Sequence, residues 1–139
     1  MRLKTSWRPM AVALLLGLAG CATPASRGDA LQEAQYAWSA AIRWGDFEGA
    51  WNMVDPKVRA EHPLTDLEFA RYKQVQISEY RELGAHNTPE ASTREIEIGV
   101  VNRNSLAERQ VHYTEAWRYD PAAKSWWITG GLPDLWPAR

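Results

Sequence analysis

Two side chains in this 139-residue chain combine a reactive group with an unusual setting. Glu115 is the single charged member of an otherwise apolar alternating phase, Val111, Tyr113, Trp117 and Tyr119. A carboxyl on the buried face of a strand would be desolvated and its pKa raised, which makes Glu115 the candidate general acid or base. Tyr113 and Trp117 flank it on the same phase and are candidate ligand-binding residues. An enzyme would need a second polar group within hydrogen-bond reach, and Tyr113 and Tyr80 are the two candidates. A competing reading is that Glu115 pairs with an arginine on a neighbouring strand and serves the fold. The other reactive group is the thiol of Cys21, the only cysteine, which closes a short apolar run.

Other chemistries find little support. His62, His86 and His112 are far apart and show no metal-ligand spacing, so no metal site is expected. His112 falls on the polar phase with Gln110, Thr114 and Arg118, a face expected to be solvated or covered by another subunit. Phosphate-binding loops and nucleophile elbows have no counterpart here, and no cofactor is implied.

The start of the chain reads as an address. Arg2, Lys4 and Arg8 precede an uncharged run from Met10 to Ala19. That run is about half of the roughly 20 residues that a membrane-spanning helix requires. A charged start, a short apolar stretch and small residues before a break describe a secretory signal. Leu18-Ala19-Gly20-Cys21 resembles the lipobox of bacterial lipoproteins at all four positions. The resemblance implies cleavage before Cys21 and a lipid joined to its sulfur, so that the membrane is a partner through Cys21. Ala22, in place of aspartate, implies the periplasmic face of the outer membrane in a Gram-negative cell. In a Gram-positive cell the same anchor would sit on the outer surface. Residues 1–20 are then a signal peptide, 21–28 a lipidated tether of linker composition, and 29–139 one α+β domain.

Removing residues 1–20 takes three of the 16 basic residues and none of the 17 acidic ones, leaving 13 against 17 and a formal charge of −4. Nucleic acid, which calls for a basic face, is not an expected partner. Seven of the eight tryptophans remain in the domain. Trp38 and Trp51 fall on helical stripes, whereas Trp44 lies off its stripe and Trp127 opposes Trp126 across a strand.

The elements that position Glu115 follow from periodicity. Asp29 with Gln32 opens a helix whose stripe is Leu31, Ala34, Trp38, Ala41 and Ile42, and Gly45 ends it. Asp46 caps a second helix with Phe47, Ala50, Trp51 and Val54 on one face, stopped by Pro56. Thr65-Asp66-Leu67-Glu68 is a capping box for a third, with Leu64 and Phe69 at staple spacing. The period then changes to 2, at Val75 and Ile77, at Ile96 to Val100, at Val111 to Tyr119 and at Ser125 to Thr129. The expectation is an α+β fold: three N-terminal helices packed on a bent antiparallel sheet of about four strands. The tail keeps Leu132, Leu135 and Trp136 after Gly130-Gly131 and is expected to dock back on the domain.

This order, with Ala41-Ile42-Arg43-Trp44-Gly45-Asp46-Phe47-Glu48-Gly49-Ala50-Trp51 and Glu115-Ala116-Trp117-Arg118-Tyr119, resembles the nuclear transport factor two-like superfamily, which includes ketosteroid isomerases and polyketide cyclases. The resemblance implies a cone-shaped pocket and pairing of two copies through the sheet face. None of the enzymes' catalytic motifs is matched. Three functional readings follow: a non-enzymatic lipoprotein that binds an apolar small molecule or an envelope protein, a pocket isomerase or cyclase using Glu115, and a glycan-binding module using Trp44 or Trp127.

Overall fold

The computed structural model describes residues 24–136. The expected signal peptide and Cys21 lie outside them. Helix α1 spans Pro24–Trp44, α2 Phe47–Trp51, α3 Pro56–Glu61 and α4 Asp66–Tyr72. Strands β1 (Val75–Asn87), β2 (Ala91–Asn102), β3 (Glu108–Asp120) and β4 (Ser125–Ile128) follow as an antiparallel meander in the order β1-β2-β3-β4.

The α+β class and the four strands agree with the sequence, but the arrangement of three N-terminal helices packed on the sheet does not. Four helices are present, and α1 is the one that lies along the sheet, against β1 and β4. Neither α3 nor α4 contains a fully buried residue, whereas the shorter α2 buries Phe47 and Ala50. Pro56 also does more than stop α2. It occupies the first turn of α3, where its missing N–H costs nothing. Asp55 caps that helix by accepting from the Lys57 N–H at 3.0 Å. Helix α1 begins five residues before Asp29, so residues 24–28, read as part of a tether, form its first turns.

Leu31, Trp38 and Ile42 form the buried stripe of α1. The helix ends in a Schellman arrangement: Gly45 takes φ 73°, its N–H donates to Ile42 O, and the Asp46 N–H donates to Ala41 O. The Thr65–Glu68 capping box is formed in full, with the Thr65 N–H on Glu68 Oε2 at 2.7 Å. Two otherwise orphan donors at the start of α4 are satisfied in this way. On the other side of the core, Ile96, Ile98, Val100, Val111, Trp117 and Ile128 share one sheet face. Two register shifts, at Ile77/Glu79 and Glu82/Gly84, interrupt the β1–β2 ladder and bend β1. Beyond β4, residues 53–55 extend the sheet by a parallel bridge: the Ile128 N–H donates to Met53 O and the Asp55 N–H to Ile128 O.

The tail docks on the domain. Leu135 is fully buried and its carbonyl accepts from Arg109 Nε at 2.9 Å. Tyr72 donates to Pro133 O at 2.9 Å, and its ring meets Trp136 edge-on with centroids 5.0 Å apart.

Candidate functional site: a buried carboxylate network

In the β2–β3 ladder Glu115 stands directly opposite Arg94. Arg94 continues the buried phase of Ile96, Ile98 and Val100, so both strands send one charged residue to the core face at the same level. The guanidinium closes on the carboxylate as a fork, Nε to Oε1 at 2.9 Å and Nη2 to Oε2 at 2.8 Å. Such a two-pronged, charge-assisted contact is the strongest geometry open to this pair. Tyr80, brought from β1, donates to Oε2 at 2.6 Å, and Trp117 Nε1 donates to Oε1 at 2.5 Å. Trp38 Nε1 reaches down from α1 to the Tyr80 hydroxyl at 3.0 Å. The outer end of Arg94 donates from Nη1 to Glu82 Oε2 at 3.0 Å, where the network meets solvent.

Glu115 has no exposed surface. Burial outweighs the other influences and raises its pKa above the ordinary glutamate value, although the hydrogen bond from Tyr80, the Arg94 charge and the Trp117 donor pull against it. Every partner of its two oxygens is a donor, the pattern that a carboxylate rather than a carboxylic acid satisfies. Burial first, and then the adjacent Glu115 charge, push the Tyr80 phenol up, so it remains a donor.

Tyr113 and Trp117 lie on the same face, as their phase requires. They meet Trp38 rather than open space: Tyr113 stacks on the Trp38 indole at 6.4 Å, and Trp117 approaches it edge-on at 6.1 Å. The Tyr113 hydroxyl is turned to Gly131 O at 3.0 Å, so Tyr80 is the tyrosine that joins Glu115. Trp38 thus fills the space between helix and sheet in which a ligand beside Glu115 would sit. As it stands, the arrangement can hold a charge pair in a dry core. It offers a reacting molecule no approach to the carboxylate.

The opposite face of the sheet is polar. Arg81, Glu97 and His112 form a ladder across three strands, with His112 Nε2 3.8 Å from Glu97 Oε2 and the imidazole largely exposed. Among the described residues no group of His, Cys, Asp or Glu side chains is placed to hold a metal ion. Trp127 is half-buried on this face.

Sequence reasoning missed a concavity at the sheet edge. A groove of about 910 Å³ runs along the free edge of β1 beside the end of α1, lined by Arg43, Trp44, Gln76, Ser78, Arg81 and Arg103 among others. Trp44 is 88% exposed there. Its position off the α1 stripe was the one available signal. The approach of Arg103, from the β2–β3 turn, depends on tertiary structure.

No protein-family profile matches the chain, and no curated protein matches it. Solved structures do. A SEC-C motif containing protein from Rhodopseudomonas palustris is 19% identical, with a TM-score of 0.58 over 78% of this chain and 88% of that one. An NTF2-like family protein from Streptomyces avermitilis is 13% identical, with a TM-score of 0.49 over 76% of this chain and 93% of that one. The first likeness shows that this α+β arrangement of helices and four-stranded meander is a fold shared with a known structure.

Proposed function

We propose that the chain is a lipid-anchored accessory protein of the bacterial envelope, with a nuclear transport factor two-like domain that works by surface binding rather than by catalysis. The observation that carries the non-catalytic reading is Glu115: it is fully buried, and four donor bonds from three residues already occupy both of its oxygens. The anchor rests on the lipobox resemblance at Leu18 to Cys21. If Cys21 carries lipid, only Ala22 and Thr23 separate it from α1. At no more than about 3.6 Å per residue, the start of that helix lies within about 11 Å of the anchor. Helix α1 has 21 residues. With a rise of about 1.5 Å per residue it spans about 31 Å, so its Trp44 end can stand well away from the bilayer. Ala22 favours the periplasmic face of the outer membrane in a Gram-negative cell. The partner is an envelope component, an apolar small molecule, or a second copy across the sheet face.

Two measurements test this. Fractionation of cells expressing the chain and Cys21→Ser should move the protein from membrane to soluble material. Native mass spectrometry of the full chain in mild detergent should show a second copy, an envelope protein or a small molecule bound to it. A wild-type chain found wholly in the soluble fraction sinks the anchor, and a bare monomer in the second experiment counts against the binding role.

The 2.6 Å contact between Tyr80 and Glu115 supports a second reading, a pocket isomerase or cyclase. It supplies the two convergent polar groups that such an enzyme needs. That reading requires Trp38 to leave its place. A substrate that raised the solvent accessibility of Trp38 on binding would favour it.

A further inference from the structure

We propose that the groove between the end of α1 and the free edge of β1 binds a linear glycan that carries carboxylates. An exposed tryptophan alone means little, since scattered apolar residues are ordinary on surfaces. Trp44 is not alone. It stands at the rim of a groove of about 910 Å³ together with two arginines that are already aimed.

Arg43 donates from Nη2 to Tyr80 O at 2.8 Å, and Arg103 donates from Nε to Val75 O at 3.1 Å. Each guanidinium has five N–H groups, so these bonds fix its direction and leave most donors open. Among the described residues neither arginine has a carboxylate partner. The groove's own acids are committed, Glu79 to Arg81 and Glu82 to Arg94. Two positive charges are therefore uncompensated on a domain with an excess of acidic residues. The carbonyls that hold them, at Val75 and Tyr80, are roughly 13 Å apart along β1, the rise of the four facing residues of β2, because the bulge at Ile77/Glu79 absorbs one residue. A planar fork at each end suits carboxylates.

A sugar ring suits the space between. It offers a flat face of C–H groups to an indole and hydroxyls to Gln76 on the same wall. An extended peptide added as a further strand is disfavoured, because Tyr80 O and Val75 O are taken and two bulges break the edge. This inference extends the surface-binding reading and is independent of the anchor.

The test uses the full chain in mild detergent, titrated calorimetrically with a galacturonic acid oligomer, with its methyl ester and with a poly-glutamate peptide. The acidic oligomer should bind. Trp44→Ala and Arg103→Gln should each weaken it about tenfold, as should esterification, while the fully folded state is checked by unchanged near-UV circular dichroism. No binding at millimolar oligomer, equal binding of the ester, or indifference to both substitutions overturns the proposal. Tighter binding of poly-glutamate overturns the choice of a glycan. A chain that fails here yet carries a second copy or a small molecule in native mass spectrometry loses the groove and keeps the binding role.

Discussion

Arg94 and Glu115 face each other across the β2–β3 ladder, and the guanidinium fork meets both carboxylate oxygens at 2.9 and 2.8 Å inside the core. A buried pair of this kind is costly to break but not to replace. Arg94→Ala leaves a buried negative charge without its counter-ion and should destabilise the domain by about 3–5 kcal/mol in denaturant unfolding. The double substitution Arg94→Met with Glu115→Leu removes the charge imbalance but leaves the Tyr80 hydroxyl and Trp117 Nε1 without their acceptor, so it should recover only part of that loss. If the double variant were as unstable as the single one, the pair would be contributing more than its own charge balance.

Asp55 ties three elements together: it caps α3, accepts from Arg118 Nε at 2.5 Å, and donates its N–H to Ile128 O. The Arg118 hydrogen bond holds its carboxyl below the ordinary aspartate value of 3.8. The folded pKa is the lower one, so this stabilisation is complete above about pH 4 and is lost as pH falls through the folded value. Asp55→Asn keeps the cap but not the charge, and should lose less stability than wild type between pH 6 and pH 3 in thermal unfolding. Asp55→Ala should cost about a further 1 kcal/mol at neutral pH, through the cap. Parallel pH profiles for wild type and Asp55→Asn would remove Asp55 from the acid response.

The tail behaves as part of the core. Leu135 is fully buried, Pro133 is buried beside it, and their carbonyls take the Arg109 and Tyr72 donors. Truncation after Gly131 should therefore lower the unfolding midpoint sharply, since losing a buried leucine alone is worth about 2–5 kcal/mol. An unchanged midpoint would show that the tail is held by a partner rather than by the domain.

Local rules carried most of the fold. The Thr65 capping box, the Gly45 terminus and the period-2 phases of β2 and β3 all lie where side-chain spacing puts them, because each is decided within a few residues. Helix α3 was hidden by reading Pro56 only as a breaker, although Asp55-Pro56 is also a cap followed by a first turn. At the site, Glu115 was legible as a charge in an apolar phase. Arg94 carried the same signal on the neighbouring strand, and only the register joined them. That Tyr80 and not Tyr113 reaches Glu115, and that Trp38 occupies the interior, depend on how α1 lies on the sheet, which periodicity does not encode.

Trp38 decides whether the space beside Glu115 is a core or a pocket. Its indole is fully buried, donates to the Tyr80 hydroxyl at 3.0 Å, and lies against both Tyr113 and Trp117. Trp38→Ala removes a ring that the surrounding helix and sheet cannot fully collapse onto, and should cost about 3–5 kcal/mol. The lining left behind is mixed, with aromatic faces on one side and the Tyr80–Glu115 pair on the other. A cavity with such polar partners takes up water or a small polar guest rather than staying dry. The variant should then bind small phenols, measurable as a rise in its unfolding midpoint with ligand concentration, while wild type should not. Equal stabilisation of wild type by the same phenols would mean that Trp38 already moves aside, and the enzymatic reading of Glu115 would regain its ground.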